Sequence, residues 1–263
     1  MPSLAIAALL ALSLAASSTP TARSVGHYAR GHIEGAVPLP PSGPHHYLVL
    51  PARCYTQAPL SQHYKSAERT KNFYAQPDVV RAVQDVAEQV RLQNVGAPRV
   101  PVGELGNERG GRIPFHMSHQ TGLDVDVLYL QRPMPKGSYS MPVPQCFDGP
   151  RFEVRGAKGW MLRPQFERAW NWALIAAFAQ RSDVRSIFVG GVVRTELLKW
   201  ARGRVPDAEY RRTKRRMIAT WCRPPKGVQM GTYRNNRCPH DDHLHVRFHC
   251  PKSSPGCTER RGR

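Results

Sequence analysis

Apolar positions along this chain fall into a few segments of clear period, separated by long stretches rich in proline and glycine. Pro77 opens a pattern in which Val79, Val80, Val83, Val86, Ala87 and Val90 recur at helical spacing, closing before Gly96. This valine stripe reads as core. A second helix is predicted from Pro164, with Phe166, Trp170, Leu174, Ala177 and Phe178 as its buried stripe and the tryptophans as core anchors rather than sugar-stacking groups. A third is predicted over Asp207 to Trp221, carrying a run of arginines on an exposed face.

Period-two segments mark the strands. Tyr47 to Leu50 and Val100 to Val102 are short, and Ser186 to Val189 reads as a buried strand ending at Gly190 and Gly191. Leu123 to Leu130 alternates clearly, with Asp124, Asp126 and Leu128 on one face and Leu123, Val125, Val127 and Tyr129 on the other. His243 to His249 alternates too: His243, His245, Arg247 and His249 share one face, Leu244, Val246 and Phe248 the other. Each of these strands pairs a polar face with an apolar one. Helices and strands interleave without regular βαβ spacing, which predicts an α+β fold: a small antiparallel sheet flanked by helices and long loops. The Pro-rich stretches 19–72 and 131–150 supply the loops.

With 263 residues, 41% of them hydrophobic, and no internal repeat, the chain can build one substantial core, so residues 19–263 are expected to form a single domain. Leu4 to Ala16 is an apolar run followed by an Ala-x-Ser cleavage pattern near Ser17 or Ser18. It is too short to span a bilayer, so residues 1–18 are expected to be a secretory signal peptide even though the leading residues lack Lys or Arg. No other segment is apolar enough for a transmembrane span. An exported chain with six cysteines allows up to three disulfides in fifteen pairings. Cys250 and Cys257 enclose a short turn-rich loop that can close locally. Cys222 and Cys238 bracket a second excursion, which leaves Cys54 and Cys146.

The net charge of +19 asks for an anionic partner or surface, and Arg211, Arg212, Lys214, Arg215 and Arg216 form its densest run. Anionic cell-wall polymer and an anionic membrane surface both suit an exported protein. No aromatic-interleaved platform or nucleic-acid motif accompanies the run, which disfavours nucleic acid. A solvated basic helix face is the plain alternative.

Chemistry concentrates in two segments, His116 to Asp126 and His240 to His245, which hold five of the eleven histidines beside several carboxylates. Imidazole and carboxylate without thiolate is the ligand set of a catalytic zinc site that keeps a position open for water. A lone His-x-His carries little weight. Here it lies on an alternating strand, follows His240, Asp241 and Asp242, and is matched upstream by His119 and Asp126. In such a site His243 is the best-placed group to move a proton or steady an oxyanion, with His240 to orient it or serve the leaving amine. Asp124, Asp241 and Asp242 suit the task of holding the far nitrogen of a ligand histidine. Gly122 supplies a tight turn into its strand. His45 and His46 are weak metal candidates, and His27, His32, His63 and His249 read as loop or surface histidines.

The run from Ser118 to Asp126, together with His240 to Arg247, resembles the signature of the penicillin-insensitive murein endopeptidases, zinc peptidases related to lysostaphin-type enzymes and D-Ala-D-Ala peptidases. The resemblance extends over roughly residues 45 to 257. It implies zinc ligands at His119, Asp126 and His245, with His116 either a further ligand or a group behind the ligands. It implies a catalytic role for His243, a supporting one for His240, and a disulfide between Cys250 and Cys257. It further implies a periplasmic zinc endopeptidase that hydrolyses the D-alanyl to meso-diaminopimelyl cross-link of peptidoglycan. The segment Cys222 to Cys238 departs from the family pattern. So does the absence, between Gln145 and Lys158, of an Asp and His pair for a second zinc at a dimer interface, which leaves a homodimer an open question. Two competing readings remain at this stage: a D,D- or L,D-carboxypeptidase or dipeptidase on the same fold, and a non-catalytic basic protein with structural zinc that binds wall polymer or nucleic acid.

Overall fold

The computed structural model of the chain describes residues 37–40, 47–49, 72–132 except 112, 114, 115 and 117, 153–162 except 157 and 158, 164–221, 240–252 and 257. The expected signal peptide, His45, His46, most of the stretch 131–150, and Cys54, Cys146, Cys222 and Cys238 lie outside them.

The valine stripe forms α1, Pro77–Gln93, with proline in its first turn and Val79, Val80, Val83, Val86 and Val90 all buried. The predicted strands appear as β2 (Tyr47–Val49), β4 (Val100–Val102), β5 (Asp124–Leu128), β8 (Val184–Gly190) and β10 (His243–Phe248). With β9 (Met217–Thr220) they make one six-stranded sheet in the order β2-β4-β5-β10-β8-β9. Two short ribbons lie outside it: β1 (Val37–Pro38) with β3 (Tyr74–Ala75), and β6 (Glu153–Gly156) with β7 (Gly159–Leu162).

The α+β class holds, but the sheet is mixed rather than antiparallel. Its centre, β4-β5-β10-β8, is antiparallel, whereas both outer junctions, β2 with β4 and β8 with β9, are parallel. Parallel pairing arises where a helix lies between two strands. α1 separates β2 from β4, and α3 (Gly191–Ala201) with α4 (Asp207–Arg216) separates β8 from β9.

Two helical expectations shift, and one helix is added. The helix predicted from Pro164 starts at Arg168 as α2 (Arg168–Gln180), because Phe166 bridges to Gln131 and Glu167 caps the helix by accepting from the Ala169 amide at 3.2 Å. The helix predicted to reach Trp221 stops at Arg216, where Met217 pairs with Ile187 and turns the segment into β9. Helix α3 was not anticipated: Gly191 begins it under the Trp221 ring, so close that a Cβ would stand 2.3 Å from that ring. Only glycine, with no Cβ, fits there with the ring in place.

One face of the sheet carries Val125, Val127, Leu244, Val246, Ile187 and Val189, all fully buried in the same core as α1 and α2. The opposite face carries Asp124, Asp126, His243, His245 and Arg247. The expected disulfide between Cys250 and Cys257 is present, with Cα atoms 5.6 Å apart, just past the end of β10. Among the described residues no helix is long and apolar enough to cross a membrane.

Candidate metal centre and active site

Strands β5 and β10 run side by side, and their register sets His245 opposite Asp126 and Arg247 opposite Asp124. Opposed residues on antiparallel strands share a face, so the two alternating patterns merge into one polar patch. His245 Nδ1 lies 2.9 Å from Asp126 Oδ1. His119 reaches the same point from the turn before β5, where it adopts φ 62° and Gly122 adopts φ 65°. Histidine tolerates the left-handed region better than most residues, though at a cost that the surroundings must offset. The offset here is a hydrogen bond from the His119 amide to Asp124 Oδ2 at 3.2 Å.

Hydrogen bonding assigns the imidazole tautomers. His119 Nδ1–H donates to the Leu105 carbonyl at 2.6 Å, leaving the Nε2 lone pair to face inward. His245 lies between two carboxylates that raise its pKa against burial; with Nε2 fixed on Asp124 Oδ1 at 2.8 Å, Nδ1 is the nitrogen left to offer a lone pair to a cation. Three electron-pair donors therefore converge: His119 Nε2 is 3.1 Å from His245 Nδ1 and 3.2 Å from Asp126 Oδ1. A tetrahedral metal with bonds of about 2.0–2.1 Å sets its ligands about 3.3–3.4 Å apart, so this triangle fits a divalent cation closely. Asp126 Oδ2 is also buried with no hydrogen-bond partner among the described residues. An uncompensated buried carboxylate oxygen is costly, and a cation removes the cost.

His116 stands beside this triangle. Its donor atoms and those of His119 and Asp126 lie within 4.8 Å of one another, and its Nδ1 is 3.7 Å from Asp126 Oδ2. Its Nε2 bonds Glu104, whose other oxygen accepts from Asn72 Nδ2 at 3.0 Å. Of the two overlapping donor sets, the one containing His245 is the tighter, and its far nitrogens are both committed elsewhere. His116 lies next to it, with Nδ1 turned toward Asp126 Oδ2.

His243 and His240 flank the centre. His243 Nδ1 pairs with Asp242 at 2.6 Å and its Nε2 comes within 3.8 Å of Asp126 Oδ1. Burial would lower its pKa, but the Asp126 carboxylate and then Asp242 outweigh burial and raise it to about 9. His240, with His119 the other non-glycine residue of positive φ among the described residues, points Nδ1 at the Thr220 hydroxyl at 3.1 Å and stacks on Phe188. Burial, helped by the neighbouring His243 and His245, pushes it down to about 2, so its ring is neutral. Burial opposes ionisation of Asp124, yet its bonds to His245 and Arg247 hold it below the usual carboxylate range. Asp126 is likewise held well below that range against burial, chiefly by His119 and His243. The patch thus holds Asp124 and Asp126 ionised against burial, beside a neutral His240 and a His243 whose pKa the Asp126 carboxylate raises.

All six residues singled out from the sequence, His116, His119, Asp126, His240, His243 and His245, meet at this one place. Asp124 holds His245, a ligand candidate, as expected, whereas Asp242 holds His243, the residue cast as catalytic. Sequence reasoning passed over Glu104, Leu105, Thr220, Tyr129 and Phe188. The Tyr129 hydroxyl donates to the His240 carbonyl at 3.0 Å, and the Gly190 amide donates to the same carbonyl at 2.9 Å. The only advance signal for Glu104 was an isolated acid in a glycine-rich lead-in. The others had none, because each acts across a strand or loop remote in sequence.

The sequence pattern of penicillin-insensitive murein endopeptidases matches residues 24–215 of this chain. Proteins named penicillin-insensitive murein endopeptidase from Escherichia coli O157:H7 (strain EC4115 / EHEC), Shigella dysenteriae serotype 1 (strain Sd197) and Escherichia coli (strain K12 / DH10B) are each 27% identical to it. In each case the alignment spans 97% of this chain and 80% of the relative. The family pattern thus covers the first histidine segment and ends before the second, which the full-length relatives also span.

Proposed function

The chain belongs to the penicillin-insensitive murein endopeptidase family, and from that premise we propose that it is an exported zinc endopeptidase cutting D-alanyl to meso-diaminopimelyl cross-links of peptidoglycan in the periplasm. The observation that carries this reading is the convergence of His119 Nε2, Asp126 Oδ1 and His245 Nδ1 with their remaining nitrogens already engaged. Those three residues would hold the zinc, with His116 as a further ligand or a group behind the ligands. Zinc held there would act as a Lewis acid toward a peptide carbonyl and lower the pKa of water.

The chain's own groups supply the rest. Asp124 fixes the His245 ring through Nε2 and is itself fixed by Arg247 at 2.8 Å, so the donor geometry is set before any ligand arrives. His243, held through Nδ1 by Asp242, presents Nε2 toward the centre, where it can take a proton or steady negative charge on the former carbonyl oxygen. His240, neutral and anchored on Thr220, is placed 5.1 Å from the His243 ring, where it can orient that ring. No serine acyl-enzyme takes part, so β-lactams have no target in this scheme.

The test is incubation of purified mature protein with cross-linked muropeptide dimers, followed by mass spectrometry. Monomers with a new D-alanyl carboxylate, lost with chelator and unaffected by penicillin, are expected. Release of single terminal residues instead would make the chain a carboxypeptidase, and stoichiometric inhibition by penicillin would overturn the metal route.

A further inference from the structure

Helices α3 and α4 enclose a groove of about 410 Å³ whose walls carry Arg194, Lys199, Arg202 and Lys214, with Leu198 and Tyr210 between them. No acidic residue lines it. The hairpin 191–216 does contain acids, but each is engaged elsewhere: Glu196 lies 3.6 Å from Arg168, Asp207 pairs with Arg211, and Glu209 accepts from the Trp172 indole. Among the described residues, none of the four groove cations makes an ion pair. Their helical positions explain only part of this. The C-terminal end of α3 favours Lys199 and Arg202 where they stand. Arg194 sits in the opposite, N-terminal turn, where the helix dipole disfavours a cation, and its Nε donates to the Met217 carbonyl at 3.1 Å, which pins the side chain as part of the lining. Four like charges gathered around one recess repel one another, and an anion relieves that repulsion.

We propose that this groove is a second binding site, apart from the histidine centre, for an anionic strand of peptidoglycan held by its stem-peptide carboxylates. The proposal rests on the reading above that the chain works on that polymer. A recess lined by a leucine and a tyrosine among the cations takes a strand, whereas a flat anionic bilayer needs a protruding cationic face. Guanidinium and ammonium groups recognise carboxylate by charge-assisted hydrogen bonds. Helix α3 continues β8 without a break, and the Gly190 amide at their junction donates to the His240 carbonyl, so the helix that carries one wall of the groove starts from the strand that flanks the active centre.

The test uses the full mature chain and insoluble, purified peptidoglycan, in chelator so that nothing is cut, with binding read by co-sedimentation over a range of salt. Two variants of equal charge change are compared: Lys199→Glu/Arg202→Glu/Lys214→Glu in the groove, and Arg211→Glu/Arg212→Glu/Arg215→Glu on the neighbouring exposed surface of α4. The groove variant should lose about tenfold or more in affinity, with a shallower salt dependence, and the control less than about threefold. Turnover of small soluble muropeptide dimers should stay the same in both. A Lys199→Gln/Arg202→Gln/Lys214→Gln protein covers the case in which charge reversal unfolds the hairpin. Equal losses in groove and control variants, or no loss in either, overturn the proposal. So does retention of wild-type protein by anionic phospholipid vesicles as tight as by the wall. Soluble dimers left uncut by wild-type protein would sink the catalytic reading and leave the binding result standing.

Discussion

The two ends of the histidine centre are built differently. At the inner end His119, Asp126 and His245 are 0–4% exposed, and both imidazoles spend their outer nitrogen on a fixed acceptor. At the outer end the His243 side chain is 17% exposed, is held through a neighbour in its own sequence, and lies beside His240. The inner end is suited to hold an ion and the outer end to exchange protons with something that arrives from solvent. In the proposed scheme, burial and anchoring separate ligand from catalyst between residues only two apart on one strand.

The largest expected effect comes from breaking the inner end. His119→Ala or His245→Ala should lose zinc and endopeptidase activity together, as seen by elemental analysis and dimer cleavage on the same samples. Full zinc occupancy in His119→Ala would remove it from the ligand set.

His243→Ala should sharpen the contrast: zinc mostly retained, activity down by about 10²–10⁴-fold, the usual scale for an acid/base or oxyanion-stabilising group. Zinc loss equal to that of His245→Ala would instead make His243 a ligand and favour a closed, structural site.

Smaller changes probe the supports. Glu104→Gln leaves the His116 ring with a weaker anchor and should reduce zinc affinity about 10–100-fold in competition with a chelator, with little change in fold. An unchanged affinity would mean that His116 contributes nothing to metal binding.

The smallest effect is expected at Tyr129→Phe. It removes one of two hydrogen bonds to the His240 carbonyl, worth about 1 kcal/mol, and should lower kcat about fivefold while zinc content and KM hold. A drop in zinc would show that Tyr129 supports the inner end as well.

How much of this could be read in advance follows from how local each determinant is. Alternation in Leu123 to Leu130 and in His243 to His249 is a property of a strand by itself, so the polar faces, the core faces and the residues that meet at the centre were legible. The valine stripe of α1 and the loop closed by Cys250 and Cys257 were legible for the same reason. The end of α4 was not: ten residues with acids first and cations last favour a helix, and only pairing of Met217 with Ile187 makes the next four a strand. Nor was the mixed character of the sheet, since strand direction depends on which strands become neighbours.

The support of the centre was decided entirely by the tertiary structure. Glu104 and Leu105 reach His116 and His119 because the Gly103 amide bonds the Asp126 carbonyl and the Asp126 amide bonds the Glu104 carbonyl, extending the β4 and β5 pairing past Val102. The sequence by itself determined which side chains could share a face, because side-chain direction alternates along a strand whatever surrounds it. Which nitrogen of each histidine faces inward, and which carboxylate holds the other, depends on contacts between residues up to about 120 positions apart, and only the folded chain brings those together.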